Sequence, residues 1–187
     1  VAQRRCVLVT CVDLSDVMHV QSSLLGMAEM LRQIIDGASV ASFVIDQNHR
    51  VTHWNTACEK MTGMQRAEVL GTTHGWRAFY PTERPLLADL VVDQVSKEAF
   101  VELYGDQMHP SAVIAEGVEV EAFFPHFGEK GRWLFFTAAP LRNTQGEIIG
   151  AIETLQDVTA RRNSEEELRR HREELEERVR QRSAELA

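Results

Sequence analysis

The chain has 187 residues, of which 44% are apolar and 26% are charged, and its net charge is −8. This composition is typical of one soluble globular domain with extensions and fits two full domains less well. From residue 161 to the end, eight Arg and eight Glu cancel, so the acidic excess lies upstream, where it repels phosphate backbones. We therefore expect no direct nucleic-acid binding.

Two further bulk features concern the membrane and the cellular compartment. The longest apolar stretch, Leu86 to Val92, is interrupted by Asp89 and is too short to cross a bilayer, so no membrane insertion is expected of this segment. The chain opens on Val without a charged-then-apolar leader, which indicates a fragment. Its three cysteines form no CxxC pair and leave an odd thiol, which predicts a reduced, cytoplasmic setting.

The first 16 residues contain a strand-like run that has a second copy near the end of the globular part. Residues 7–15 and 151–159 both close on Asp, an aliphatic residue and a hydroxyl residue, and both lead into a predicted helix. One interpretation is that residues 1–16 are the tail strand of a preceding domain of the same type. The alternative is chance, because β-rich nonapeptides with a closing Asp are common.

Residues 17–37 are predicted to form an amphipathic linker helix. Apolar residues recur in it at alternating spacings of three and four, an a/d seam of about two and a half heptads. They are Val17, Val20, Leu24, Met27, Leu31 and Ile34. Gly37 ends the helix, because Gly readily takes the left-handed conformation that closes one. The seam fits a helix that faces a partner helix and, equally well, an amphipathic helix lying on its own domain.

Residues 38–160 are predicted to form one α+β domain. Strand-like runs cover 42–46 and 50–54, with a turn between them, and later 118–127, 133–141 and 148–156. This order predicts a five-stranded antiparallel sheet with short helices on one face.

Two short helices are predicted between the second and third strands. Asn55 fits the N-cap of the first, Thr56 to Met61, which stops at Gly63. Apolar residues at helical spacing mark the second, Arg84 to Val95. No element is assigned to the long section from Lys97 to Gly117.

Residues 161–187 are predicted to form a C-terminal linker helix of the coiled-coil type. Ser164 and Glu167 match a capping box, and the sequence beyond them is charged and helical. Two Arg interrupt its apolar seam, which consists of Leu168, Leu175, Val179 and Leu186. A polar helix with so thin a stripe is marginal alone, so we expect a parallel two-stranded coil when two chains meet.

One further pattern concerns the globular part as a whole. Its members are Phe43-Val44-Ile45-Asp46, Val51, Trp54-Asn55, Ala57, Gly63, Glu68, Leu70-Gly71, Gly146 and Asp157-Val158-Thr159. In order and spacing they resemble a PAS domain over about residues 40–160, and residues 175–186 resemble the helix that often joins such domains to a histidine-kinase core. The resemblance implies a tandem PAS receptor fragment of a bacterial sensor histidine kinase, in which signalling helices flank a sheet domain that encloses a small cavity.

Asp157 and Thr159 lie where the last predicted strand meets the output helix. Their side chains can hydrogen-bond backbone groups that neither element satisfies, which gives the junction a defined angle. The resemblance implies that they fix this junction for signal relay, and we place Trp54 in the same relay set. The alternative is a plain N-cap with no signalling role.

Aromatic residues cluster in the segment 74–81 and on the later strands, where they can line a small-molecule pocket. Strand alternation places Trp133 and Phe135 on one face of the sheet. Arg77 is a candidate partner for a carboxylate ligand. The candidate ligand-binding residues are His74, Trp76, Arg77, Phe79, Tyr80, Phe123, Trp133 and Phe135. An ordinary filled core is the alternative.

The sequence carries no catalytic motif of the G-x-S-x-G, Walker A or HExxH type and no HxH or Cys/His cluster, so no catalytic residue and no metal site is expected. The cofactor stays unknown, and a small organic ligand is favoured over haem or flavin. The predicted helix Arg84 to Val95 carries no axial His, and no Asn-Cys-Arg run follows Cys58. We expect a homodimer through the flanking helices that relays to a downstream kinase or other output domain in the same chain. A ligand-free dimerisation and relay module is the alternative.

Overall fold

The computed structural model describes residues 15–185, with all their side chains except those at positions 15–17, 97, 99, 106 and 185. The tail strand is predicted for residues 1–16, and residues 1–14 of that segment lie outside the described range. The chain divides into two units, residues 1–37 and 38–187. In the first unit, α1 (Ser15–Gly37) is the predicted linker helix, and its large apolar side chains from Val20 to Ile34 are each more than half exposed.

The second unit is built on one antiparallel sheet. Its strands are β1 (Ala41–Asp46), β2 (Val51–Trp54), β3 (Met108–Pro110), β4 (Val118–Phe124), β5 (Arg132–Arg142) and β6 (Ile148–Asp157). Their order across the sheet is β2-β1-β6-β5-β4-β3. The last strand, β6, therefore lies between β1 and β5, and the residues that follow it emerge beside the middle of the sheet.

Short helices cover one face of this sheet. They are α2 (Thr56–Thr62), α3 (Arg66–Val69), α4 (Leu87–Val92) and α5 (Lys97–Tyr104), with 3-10 turns at His74–Ala78 and Gly105–Gln107. α4 packs on β5 and β6, where its buried side chains meet Phe43, Leu134 and Phe136 in the core. The final helix, α6 (Thr159–Glu185), follows β6 after one residue. Within residues 15–185, no helix is long and apolar enough to span a membrane.

Local polar contacts explain where the first elements begin and end. In the β1–β2 turn, the Asp46 carboxylate accepts hydrogen bonds from the N–H groups of Asn48 and Arg50 at 2.8 and 3.0 Å. Asn55 is fully buried, and its side-chain oxygen accepts from the third N–H of α2 at 2.8 Å, as an N-cap does. Gly63 ends α2 with a φ of 76°, a left-handed conformation that suits glycine.

The sheet has six strands instead of the five predicted, whereas the α+β architecture itself is confirmed. The added strand, β3, lies at the sheet edge and pairs with β4. Three residues are too few to show strand alternation in a sequence. Pro110 also argues against a strand when the sequence is considered alone, although proline is tolerated at a sheet edge because no ladder donor is needed there.

Two helices begin at other residues than predicted. α4 covers Leu87–Val92, because the Asp89 carboxylate accepts from the N–H of Leu86 at 2.7 Å and so sets the first turn. α6 begins at Thr159, and the predicted capping box at Ser164 and Glu167 therefore lies inside the helix.

Candidate functional site

A cavity of about 620 Å³ lies beside the sheet, between α5, β4 and the segment that follows the first 3-10 turn. Small-molecule sites typically measure roughly 300–1,000 Å³, so the cavity has the size of one. Its apolar wall includes Phe79, Tyr80, Leu103, Tyr104, Ala122, Phe123 and Phe124. Its polar groups include Arg84, Gln107 and His126. An aromatic wall with a few polar groups is the usual composition of such a site.

Arg84 brings a cation to this wall. Its guanidinium carbon lies 4.4 Å from the ring centre of Tyr80 and 5.1 Å from that of Tyr104, so two phenol rings flank it. Its Nη2 donates to the carbonyl oxygen of Leu103 at 3.1 Å. Its Nε is buried and has no hydrogen-bond partner among the described residues. The side chain therefore presents a positive charge and an unused donor.

Tyr80 and Tyr104 supply phenol groups to the same wall. Burial raises the pKa of both above the usual value of 10, so both phenols stay protonated at neutral pH and can donate hydrogen bonds. The Tyr104 hydroxyl interacts with Tyr80 electrostatically, but it forms no hydrogen bond of normal geometry within the described part of the chain. The Tyr104 ring packs edge-on against Phe136, with ring centres 5.8 Å apart, and this contact holds it in place.

Glu153 is a buried carboxyl on β6, under the first turn of α4. It is 2% exposed, and its Oε2 accepts from the N–H of Ala88 at 2.8 Å. Burial raises the pKa of Glu153 from 4.5 to about 8, and the Ala88 hydrogen bond offsets only part of this effect. The side chain is therefore protonated and uncharged at neutral pH.

Six of the eight candidate ligand-binding residues come from the segment around the first 3-10 turn or from β4. Phe79, Tyr80 and Phe123 line the cavity. His74, Trp76 and Arg77 belong to the 3-10 turn and lie outside the lining. Arg77 is exposed, with its guanidinium carbon 5.5 Å from the ring centre of Trp76, so the cation of the cavity is a different arginine from the one predicted.

The remaining two candidates, Trp133 and Phe135, lie on the other face of the sheet. Their neighbours Leu134 and Phe136 are 0% and 2% exposed and point into the core under α4. Alternation along β5 therefore directs Trp133 and Phe135 away from the cavity. The structure therefore places Trp133 and Phe135 apart from Phe79, because the helices and the core lie on the opposite face of the sheet.

Sequence reasoning missed Arg84, Tyr104 and Glu153. Arg84 precedes α4, and Tyr104 lies in the section without a predicted element, so neither position carries a local signal of burial. Glu153 shares its strand phase with the buried Ala151 and Leu155, and this phase is the signal that could have identified it.

Side chains from the end of β6 and from the start of α6 fix the junction between these two elements. The Asp157 carboxylate accepts from the N–H of Thr159 at 3.0 Å and pairs with Arg132 at 3.3 Å. The Thr159 hydroxyl accepts from the N–H of Trp133 at 2.9 Å, and the N–H of Val158 donates to the Trp133 carbonyl oxygen at 2.9 Å. The start of α6 is therefore fastened to two consecutive residues of β5.

The first turn of α6 also contacts the outer face of the sheet. Arg161 pairs with Glu121 of β4 at 3.0 Å, and Arg162 pairs with the same carboxylate. The Arg162 guanidinium carbon lies 4.3 Å from the ring centre of Trp133. Trp133 thus belongs to the junction.

Trp54, the third residue of the predicted relay set, lies in the core. Its indole N–H donates to the carbonyl oxygen of Met64 at 3.2 Å. Its ring packs against Phe43 and Phe79, with ring centres 5.3 and 6.2 Å away. It therefore supports the cavity wall at Phe79 and makes its contacts away from the junction.

Side chains suited to metal or covalent chemistry do not gather in the described residues. None of these residues belongs to a group of three or more His, Cys, Asp or Glu side chains that could hold a metal ion. Cys58 in α2 is a buried free thiol, and burial raises the pKa of Cys58 far above its usual value, which disfavours the reactive thiolate.

Comparisons with known proteins agree with this architecture. A family model described as PAS fold matches residues 35–163. The signal transduction histidine-protein kinase AtoS of Escherichia coli is 26% identical over 154 residues, which are 79% of this chain and 22% of the kinase. A phytochrome of Picea abies is 32% identical over 142 residues, which are 72% of this chain and 10% of the phytochrome.

A solved structure of an RNA-binding light-oxygen-voltage receptor superposes with a TM-score of 0.52 at 22% sequence identity and covers 83% of this chain and 39% of the receptor chain. At this identity the similarity concerns the fold alone. The chain spans only 22% and 10% of the two curated relatives, so the similarity concerns one region of each. Because the family model covers more than half of the sequence, this chain belongs to the PAS family.

Proposed function

We propose that this chain is a sensory PAS module that binds a small organic ligand in the cavity and relays binding through α6 to an output domain. The observation that carries the proposal is that two neighbouring strands hold both the cavity wall and the junction. Phe123 and Phe124 line the cavity from β4, and they pair directly with Trp133 and Arg132 on β5. Those two β5 residues hold the start of α6.

A ligand that contacts Phe124 acts one strand away from the junction, because Phe124 pairs with Arg132 on β5, and the neighbouring Phe123 packs on the outer face against Trp133. The rings of Phe123 and Trp133 are 5.6 Å apart, so packing couples their positions. The Trp133 backbone binds both Val158 and Thr159, and a small displacement of β5 at this point changes the angle at which α6 leaves the sheet.

The output helix acts, in this proposal, as one strand of a parallel coil formed with a second copy of the chain. α6 has 27 residues and is therefore about 40 Å long. Leu168, Leu175 and Val179 are each more than half exposed on it. An isolated polar helix is marginally stable in water, and pairing these residues across a dimer supplies the burial that one chain lacks. The exposed seam of α1 is proposed to join the same dimer.

The relatives suggest what lies downstream. Because AtoS is a histidine kinase and this chain aligns with 22% of it, we place a kinase or other output domain after α6 in the same chain. The segment itself is proposed to be non-catalytic and cytoplasmic. Its net charge of −8 argues against a nucleic-acid partner.

Ligand binding is tested on the intact chain by native mass spectrometry and by thermal denaturation against a metabolite collection. A ligand at 100 times its Kd raises the free energy of unfolding by about 2.7 kcal/mol, which raises Tm by several degrees. Ala122→Phe, which fills the cavity, should abolish this shift, whereas Ala67→Phe on the exposed side of α3 should retain it. A chain that carries no small molecule and gains no stability from any compound contradicts the proposal.

The exposed seams support a second function, a dimerisation and relay module that needs no ligand. Replacing Leu24 and Leu31 with Asp should then give monomers in sedimentation velocity, because both side chains are at least 60% exposed and available to a partner. Ser22→Asp together with Gln33→Asp adds the same two charges at exposed polar positions of α1 and is the matched control. An unchanged sedimentation coefficient for the double variant would count against dimerisation through α1.

A further inference from the structure

The cavity holds a positive charge that no carboxylate balances among the side chains that the structure describes. A guanidinium group has five N–H donors, and in the described residues Arg84 uses one of them, on the carbonyl oxygen of Leu103. A buried donor without an acceptor costs about 1–3 kcal/mol, and more when it is charged. Glu153 does not provide the missing charge, because its pKa of about 8 keeps it protonated at neutral pH.

A second donor without an acceptor lies on the same wall. The Tyr104 hydroxyl is buried and, within the described residues, has only a contact with Tyr80 that lacks normal hydrogen-bond geometry. The Tyr104 ring centre is 5.1 Å from the Arg84 guanidinium carbon, so one small group can reach donors of both residues. Buried polar atoms are normally well paired, and the unpaired Arg84 Nε beside a poorly paired phenol on a cavity wall indicates a place for an acceptor.

We propose that the cavity selects small organic monocarboxylates, with the carboxylate accepting hydrogen bonds from Arg84 and from the Tyr104 hydroxyl, and with an apolar body packed against Phe79 and Phe124. This inference rests on the proposed ligand-binding function and specifies its ligand class. The planar guanidinium matches the two oxygens of a carboxylate, which favours this group over a single-oxygen acceptor. Tyr80 and Phe124 both line the cavity with ring centres 5.7 Å apart, so an apolar ligand body meets an aromatic surface.

Charge selectivity is tested with matched pairs of probes on the intact chain. Phenylacetate, indole-3-acetate and hexanoate are compared with phenylacetamide, indole-3-acetamide and hexanamide by calorimetry and thermal denaturation. The acids should bind at least about tenfold more tightly than their amides, because each amide replaces an accepting oxygen by a donor. This ratio is measured on the unmodified chain, so it does not depend on the folding of any variant.

Two variants test whether Arg84 and Tyr104 cause the preference for acids, and a third variant is the control. Arg84→Gln should weaken acid binding about tenfold or more and leave amide binding within about twofold, and Tyr104→Phe should weaken acid binding by a smaller factor. Arg77→Gln is the control, because Arg77 also lies over an aromatic ring but is exposed and outside the cavity. The Arg77→Gln variant should bind the acids and the amides as tightly as the unmodified chain does.

The outcomes separate the ligand class from the sensor proposal. Amides that bind as tightly as the acids, and lose binding in Ala122→Phe, overturn the carboxylate inference and leave the sensor proposal standing. Equal weakening of acids in Arg84→Gln and Arg77→Gln also overturns the inference, since it would reflect net charge alone. Absence of binding in both series, together with no bound molecule by native mass spectrometry, overturns both proposals.

Discussion

Glu153 couples the stability of the domain to pH, and a single substitution isolates this coupling. The carboxyl lies on β6, 2% exposed, and accepts one hydrogen bond from the backbone of α4. Glu153→Gln keeps the size of the side chain and an oxygen that can accept from the Ala88 N–H, and it removes the titration.

The expected magnitude follows from the two pKa values of this side chain. Burial raises the pKa of Glu153 from 4.5 in the unfolded chain to about 8 in the folded one, so between these values the folded chain binds the extra proton. The free energy of unfolding therefore falls as pH rises through this interval, by up to about 1.4 kcal/mol per pH unit. The whole interval corresponds to roughly 5 kcal/mol, an upper limit because water that enters the site would lower it.

Urea unfolding between pH 5 and pH 9, followed by circular dichroism and by the fluorescence of the three tryptophans, measures this dependence. Glu153→Gln should match the natural chain within about 1 kcal/mol at pH 5, where Glu153 is protonated, and should become several kcal/mol more stable than it at pH 9. All other titrating groups are shared, so they cancel in the difference. Glu129→Gln, at an exposed carboxylate, should leave the slope unchanged. Parallel profiles for the natural chain and Glu153→Gln would falsify the argument.

Three further substitutions test the fold and the junction. Asn55→Ala removes a buried acceptor of two backbone N–H groups, at 2.8 and 3.0 Å, so urea unfolding should show a loss of about 2–4 kcal/mol; a loss below about 0.5 kcal/mol would contradict the network. Gly150→Ala places a Cβ 2.2 Å from the Ile45 carbonyl oxygen and should lower Tm in calorimetry, whereas Gly26→Ala, with no atom within 4 Å, should not. Asp157→Ala should cost only about 1 kcal/mol, yet speed hydrogen exchange in the first turn of α6 about fivefold by mass spectrometry; unchanged exchange there would exclude a role for Asp157 at the junction.

The elements that the sequence predicts well are those whose residue preferences are local. Asn55 and Gly63 bound α2 through an N-cap and a left-handed glycine, and both signals are visible in a few neighbouring residues. Strands β4, β5 and β6 are long enough to show alternation. The edge strand β3 has three residues and depends on β4 for its existence, so no local pattern could indicate it.

The candidate site could not be predicted from local residue preferences, because its contacts depend on tertiary packing. Alternation correctly separates Trp133 from Leu134, but which face becomes the core depends on where α4 packs. Arg77 and Arg84 are equally charged and near one another in sequence. Only the enclosure of Arg84 between the nearby Tyr80 and Tyr104 of α5 makes it the cation of the cavity.

The strength of the junction determines what a ligand can do to it. The Asp157–Arg132 pair is 35% and 42% exposed and contributes at most about 1 kcal/mol. The two hydrogen bonds that join Trp133 to Val158 and Thr159 add about 1 kcal/mol each, which gives roughly 3 kcal/mol for these three contacts, apart from those of Arg161 and Arg162. Allosteric couplings are typically 1–3 kcal/mol, whereas a micromolar ligand binds with about 8 kcal/mol. In the proposed relay, a ligand whose affinity differs by this coupling between two positions of Trp133 is therefore expected to release the start of α6 while the β5–β6 ladder stays intact. A junction of buried apolar side chains would cost more to open, so partly exposed polar contacts suit the proposed role, in which the junction both holds the helix and lets it move.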